Sequence, residues 1–333
     1  MTFGASAPLF PAVGVDGLVS LDDVRAAAVR VQDLIVRTPL LASPEASERV
    51  GHEVRFKCES LQRSGSFKAR GALNFVLQLP HDVVARGVIT YSSGNHAQAV
   101  ALAARLKGVR AVVVMPVTAP EIKVRGAEQL GAEVVFEGTT SIERRVRAEG
   151  IAEEDGLAMV PPFDHPWIIA GQGTTGIEIQ EDWPEVETVL MPIGGGGMAS
   201  GVCAALRRLR PDVRLVGVEP VGAAGMRAAL NADGPVTLPC TKTIADGLVP
   251  VRVGDLTFEH VRQLADDVVT VEDDMIREAA LFLLTRVRLV VEHSGAVALA
   301  ALLSGVVGFP GRTAVIISGG NVEVAVQGDE TPP

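Results

Sequence analysis

Residues Gly194, Gly195, Gly196 and Gly197 stand between an apolar run, Thr188 to Ile193, and a helical pattern from Met198 to Leu209. Four glycines let successive backbone N–H groups converge without interference from Cβ atoms, and the following helix adds its positive end. The loop is suited to cradle a phosphate. It is not a Walker A loop, because no Lys-Ser/Thr pair follows it, and it lacks the dinucleotide spacing, although Glu219 lies downstream. A plain strand-to-helix turn would need only one or two of the glycines.

Ser64-Gly65-Ser66-Phe67-Lys68 leads into Ala69, Arg70, Gly71 and Ala72. Ser66 is expected to cap a helix running through Leu73 and Phe75, with Lys68 in its first turn. A cation there opposes the helix dipole, whereas a lysine held as a neutral imine does not. An ordinary solvent-facing lysine is the other reading of the same grammar. Ser92-Ser93-Gly94-Asn95-His96 follows the short β-type run Val88 to Tyr91, and its backbone donors could hold a carboxylate. Ser318-Gly319-Gly320-Asn321 ends the last strand with a hydroxyl and flexible backbone. Each of these two is, taken alone, also a simple turn or helix start.

Strand-like and helix-like segments alternate around these loops. Val88–Tyr91, Val109–Met115 and Ala132–Phe136 read as strands. Helices are expected over 96–107, after Pro120, and over 141–154. The rhythm resumes with strands at Thr188–Ile193 and Val213–Val218, helices near 198–209, 223–231, 272–286 and 294–303, and a last strand at Thr313–Ile317. This alternation predicts an α/β protein with two open, mostly parallel twisted sheets flanked by helices. Ligands in such folds bind at the carboxyl ends of strands, where three of the loaded loops fall.

Composition agrees with a folded catalyst or binder. The chain has 333 residues, 47% of them hydrophobic, enough for about two domains and far too apolar for disorder. The net charge of −10, with no basic cluster beyond Arg144, Arg145 and Arg147, points away from nucleic acid. Those arginines alternate with Glu143 and Glu149 and read as a solvated helix face. Cys58, Cys203 and Cys240 form no CxxC pair, which fits a reducing, cytoplasmic setting and argues against structural zinc. The N-terminus lacks a positive region before Leu9 and Phe10, so no secretory leader is expected. The most apolar stretch, Leu289 to Phe309, contains Glu292 and His293 and breaks at Pro310. It reads as buried strand, loop and helix; no membrane association is expected.

Together, residues 64–72, 92–98, 194–198 and 318–321, with Ala170-Gly171-Gln172-Gly173-Thr174, resemble the serine/threonine dehydratase and serine racemase family. These are fold type II pyridoxal-phosphate enzymes, and the likeness runs from about residue 25 to residue 321 in order and spacing. The resemblance implies pyridoxal 5′-phosphate as cofactor, held by Lys68 as a Schiff base. Phe67 would pack near the cofactor ring, Asn95 would bond the ring hydroxyl, and Ser318 would face the pyridine nitrogen. Gly194, Gly195, Gly196, Gly197 and Met198 would bind the phosphate. Ser92, Gly94 and His96 would offer backbone donors to the substrate carboxylate, and Ser93 matches a second acid/base of racemases. Residues 87–157 would form a small mobile domain, and 1–86 with 158–333 the large one. A homodimer is the family's habit.

The implied chemistry is β-elimination from a hydroxy amino acid such as L-threonine or L-serine. Lys68, freed by the substrate, takes the Cα proton; the cofactor accepts the electron pair; the β-hydroxyl leaves, and hydrolysis yields a 2-oxo acid and ammonia. The family's cation site uses a Glu, a carbonyl and an Asp. Here Glu219 and Ala223 are present but Gly225 stands in the Asp position, so no metal is expected. Pro161-Pro162-Phe163-Asp164-His165 is more like the dehydratases than the racemases. His293 departs from a common proline. Arg144 aligns loosely with a family arginine near the substrate side chain, but an exposed helix residue is expected. The chain ends soon after Asn321, so isoleucine feedback is not expected. Racemisation of serine or an aspartate-type substrate, and dehydration of 3-hydroxyaspartate, stay open. So does a non-catalytic binder of phosphorylated metabolites, which would leave Lys68 without a task.

Overall fold

A computed structural model describes residues 17–92, 94–308 and 311–323. Residues 1–16, on which the expectation about a leader falls, and Ser93 lie outside the described residues. Among the described residues, ten strands form two sheets. They are β1 (Leu40–Ala42), β2 (Val54–Lys57), β3 (Val88–Tyr91), β4 (Ala111–Met115), β5 (Glu133–Phe136), β6 (Ala158–Met159), β7 (Thr188–Pro192), β8 (Arg214–Pro220), β9 (Asp267–Val271) and β10 (Thr313–Ile316). The large sheet has the order β1-β2-β10-β7-β8-β9 and the small one β5-β4-β3-β6. Only β1 runs antiparallel to its neighbour, at an edge. The expected α/β class with two mostly parallel sheets is what the chain forms.

The apolar strands explain the layering. Along β7, Val189 and Met191 point to one face and Leu190 to the other, as the two-residue period requires. The first face packs with Met198 and Val202 of the helix Gly197–Leu209; the second packs with Val297 and Leu299 of the helix His293–Leu303. In β4, Val113 and Met115 face Ala97 and Ala103, while Val112 and Val114 face Ala148 and Ile151. Helices therefore cover both faces of each sheet. Burying a Val, Leu or Ile side chain contributes about 1.5–3 kcal/mol, so these layers carry most of the stability.

Three helices meet with almost no side chain between them. A Cβ on Gly171 would lie 2.6 Å from the Cα of Gly71, and one on Gly201 would lie 2.5 Å from the N of Gly173. The helices Lys68–Val76, Pro166–Asp182 and Gly197–Leu209 are thereby locked backbone to backbone. The stretch from Leu289 holds a helix, His293–Leu303, preceded by irregular chain and no strand. No described helix is long and apolar enough to cross a membrane.

Candidate active site

Lys68 opens its helix, as the sequence predicts, but Ser66 does not cap it. Ser66 is extended and bridges Gly319 antiparallel, while Phe67 behind it already has helical torsions. The bridge holds the hydroxyl away from the first turn, and Ser66 Oγ is buried without a partner among the described residues. Phe67 N–H donates to the Ser318 carbonyl at 3.1 Å, and Gly320 N–H to the Gly65 carbonyl at 2.9 Å. The lysine loop and the loop after β10 are thus stitched together.

The Lys68 amine is half-buried, 5.2 Å from the centroid of the Phe67 ring. It donates to the Pro162 carbonyl at 2.8 Å. Burial lowers its pKa to about 8, because a cation is poorly solvated there. His96 is buried too. Its Nε2 lies 3.2 Å from the Val160 carbonyl. Burial, and then the charge of Lys68, push its pKa down to about 3, so it is neutral.

Pro162 leads to Phe163, whose ring covers the glycine loop: a Cβ on Gly195 would lie 2.2 Å from Phe163 Cδ1. Gly196 has φ +96°, with Thr257 Cβ only 2.7 Å from its missing Cβ. Among the described residues, none of the N–H groups of Gly194 to Met198 has a protein acceptor. Gly195 to Met198 are buried. Leaving such donors bare costs about 1–3 kcal/mol each, so the loop could hold an anion. Asp164 holds the loop's surroundings. Its carboxylate accepts from the N–H groups of Asp255 (3.0 Å), Leu256 (3.0 Å) and Thr257 (3.1 Å). Thr257 Oγ1 in turn donates to the Gly195 carbonyl at 2.7 Å.

Asn95 sits at the first turn of the helix Asn95–Lys107. Its Nδ2 donates to Glu292 Oε1, and its Oδ1 accepts from Asn321 Nδ2 at 3.0 Å. Asn321 Nδ2 also donates to the Ser64 carbonyl at 2.8 Å. Among the described residues, Ser318 Oγ reaches only the Ser294 carbonyl, at 3.5 Å. Ser92 N–H donates to the Val114 carbonyl at 3.0 Å, and Gly94 N–H to Ser92 Oγ at 3.2 Å. Gly94 N–H therefore already has an acceptor. His293 opens its helix at a position where a proline would cost no hydrogen bond.

One other expectation, that for Arg144, is overturned. Arg144 is not exposed: its residue is 7% accessible and its Nε has no partner among the described residues, although Arg145 and Arg147 beside it are exposed. The helix Ser141–Asp155 turns that one position toward β3 and β4, alongside Ala148 and Ile151. Glu219, at the end of β8, gives both oxygens to N–H groups of Met226 (2.7 Å) and Arg227 (2.9 Å). Burial pushes its pKa up to about 7. Among the described residues no group of three or more His, Cys, Asp or Glu is placed to hold a metal.

Residues 31–319 match the family model described as pyridoxal-phosphate dependent enzyme. The chain belongs to the pyridoxal-phosphate-dependent enzymes. This enzyme is 45% identical over 296 residues to an L-threonine ammonia-lyase of Geobacter sulfurreducens, covering 89% of this chain and 74% of that one. It is 39% identical to a serine racemase of Oryza sativa subsp. indica, covering 92% of each. A solved threonine deaminase from T.th. superposes with a TM-score of 0.88 at 40% identity, over 92% of this chain and 100% of that one. Pyridoxal phosphate is its cofactor, and the bare donors of the glycine loop, linked through Phe163 and Pro162 to a lysine of lowered pKa, fit that group. Sequence reasoning missed Lys123, Asp246, Glu292 and the Asp164 clamp. Glu292 stood out as a carboxylate inside the most apolar stretch, and that was the available signal.

Proposed function

We propose that this enzyme dehydrates and deaminates a β-hydroxy amino acid, L-threonine or L-serine, to the 2-oxo acid and ammonia. The observation that carries the reading is the Lys68 amine bonded to Pro162, one residue before the Phe163 ring that covers a buried loop of unaccepted N–H groups. Bound pyridoxal phosphate supplies an electron sink for the pair left at Cα. Lys68 would hold the cofactor and, once released, remove the Cα proton; its lowered pKa suits a base near neutrality. Gly194, Gly195, Gly196, Gly197 and Met198 would hold the phosphate. Phe67, Asn95 and Ser318 would border the ring. Ser92, Gly94 and His96 would line the place of the substrate carboxylate. Neutral His96 is compatible with that task, because it adds no competing charge beside Lys68.

Residues 87–157 would close over the rest as a small mobile lobe, and the active form would be a cytoplasmic homodimer. Racemisation is the second reading, supported by the serine racemase relative. Purified protein should be yellow. Borohydride reduction followed by peptide mapping should place the adduct on Lys68. Assaying 2-oxo acid against D-amino acid from one L-substrate separates the two readings. A colourless protein that neither gains the adduct nor releases oxo acid would overturn both.

A further inference from the structure

Lys123 lies on the helix Glu121–Gln129 of the small lobe, yet its amine is spent on the other lobe. Lys123 Nζ is 2.5 Å from Asp246 Oδ2 and 3.2 Å from Glu292 Oε2. The Lys123 and Glu292 side chains are only 4% and 3% exposed, and Asp246 is 42% exposed. Asp246 starts a short turn and Glu292 precedes the helix His293–Leu303, both packed with the large sheet. The ion cluster therefore spans the cleft between the two sheets.

Its neighbours are the site's own residues. A Cβ on Gly94 would lie 2.3 Å from Lys123 Cδ, so the lysine stem is pressed against Gly94. The other oxygen of Glu292 takes the amide of Asn95. From Asn95 the chain of hydrogen bonds runs through Asn321 to Ser64, four residues before Lys68. One cation thus holds two carboxylates, one glycine loop and one amide in register. Without it, Glu292 and Asp246 would face each other as like charges, with Glu292 still buried.

We propose that Lys123 is a positioning residue: a strut across the cleft that fixes the small lobe so that the Ser92–His96 loop is set against Lys68. The proposal rests on the reading of that loop as the seat of the substrate carboxylate. The strut touches the loop and leaves the Lys68 amine alone, so its loss acts on substrate binding more than on proton removal.

The test uses the holoenzyme with Lys123→Met, which keeps the apolar stem and drops the charge, and Asp246→Asn, which loosens one end at a half-exposed position. The expected result is unchanged colour and adduct at Lys68, with KM raised about tenfold and kcat within about threefold for Lys123→Met. Asp246→Asn should shift KM the same way by less. Backbone amide exchange should quicken in both variants across residues 95–107 and 121–129. Unchanged KM and exchange in both variants, or a lower melting temperature as the sole effect, would overturn the strut. So would a fall in kcat at constant KM. If the unmodified protein releases no oxo acid, the functional reading fails, and the exchange measurement still decides whether Lys123 ties the lobes.

Discussion

The Cβ that Gly195 lacks would stand 2.2 Å from Cδ1 of Phe163. That distance is far inside van der Waals contact, so the glycine and the aromatic ring determine each other. Phe163 in turn follows Pro162, which accepts from the Lys68 amine. The loop that carries the bare N–H groups and the Lys68 amine are therefore both in contact with one short segment, residues 162–163.

Gly195→Ala should weaken cofactor binding at least tenfold while the protein still folds. The added methyl must push Phe163 or the loop aside, an overpacking cost of about 1–3 kcal/mol. Spectrophotometric titration of cofactor-free protein reads the affinity. Adding Phe163→Ala should recover part of the loss, because the ring no longer blocks the methyl; two independent, additive losses would contradict this coupling.

Lys68 should react with the cofactor's aldehyde faster as pH rises through about 8, then level off. The neutral amine is the nucleophile, and burial, by disfavouring the cation, makes that form available below the ordinary lysine range. Stopped-flow mixing of cofactor-free protein with pyridoxal phosphate across pH 6.5 to about 11.5 would show it. A midpoint near the ordinary lysine value of 10.5 would refute the burial argument. Lys68→Ala should abolish turnover and the borohydride adduct together.

Much of this site was legible in the sequence because its parts are local. The run Gly194–Gly197 between an apolar strand and a helix, and Lys68 at a helix start, each lie within a few consecutive residues. The helix Pro166–Asp182 was hidden, because Gly171, Gly173 and Gly176 weaken a helical pattern. Their reason is close packing: a Cβ on Gly171 would sit 2.6 Å from Gly71 Cα, a contact that exists only after folding. Lys123, Asp246 and Glu292 were hidden likewise, since a charge reads as solvated until its partner, distant in sequence, is known. Ser66 was misread because its bridge to Gly319 outweighs its capping preference.

Acid should act on stability in two opposing ways. His96 is held near 3, below its ordinary 6.5. Between those values the unfolded chain binds the proton and the folded chain does not, so stability falls as pH drops, by about 2 kcal/mol at pH 5. Glu219 is held near 7, above its ordinary 4.5. There the folded chain binds the proton first, so stability rises as pH drops toward 4.5, by a similar amount. Urea unfolding of cofactor-free protein at pH 7 and pH 5 should show a smaller acid loss in His96→Asn. Glu219→Gln should show a larger one. Equal pH slopes in all three proteins would refute the assignment.

Arg70, two residues beyond Lys68, should be the costliest single charge to remove. Its guanidinium is fully buried between Glu59 (2.8 Å) and Glu178 (2.6 Å), and Lys57 Nζ lies 2.6 Å from Glu178. Two cations thus balance two carboxylates inside the protein, and Arg70 Nη1 also donates to Thr174 Oγ1 at 3.0 Å. Arg70→Met keeps most of the volume but leaves the carboxylates one cation short, at a cost of about 3–5 kcal/mol. Arg70→Lys keeps the charge but cannot grip both carboxylates at once, so it should fall in between. Because the helix Lys68–Val76 is held through this residue, both variants should also release bound cofactor at lower urea concentrations than unfold the rest of the chain. Simultaneous loss of cofactor and fold in both would show instead that the helix has no local freedom of its own.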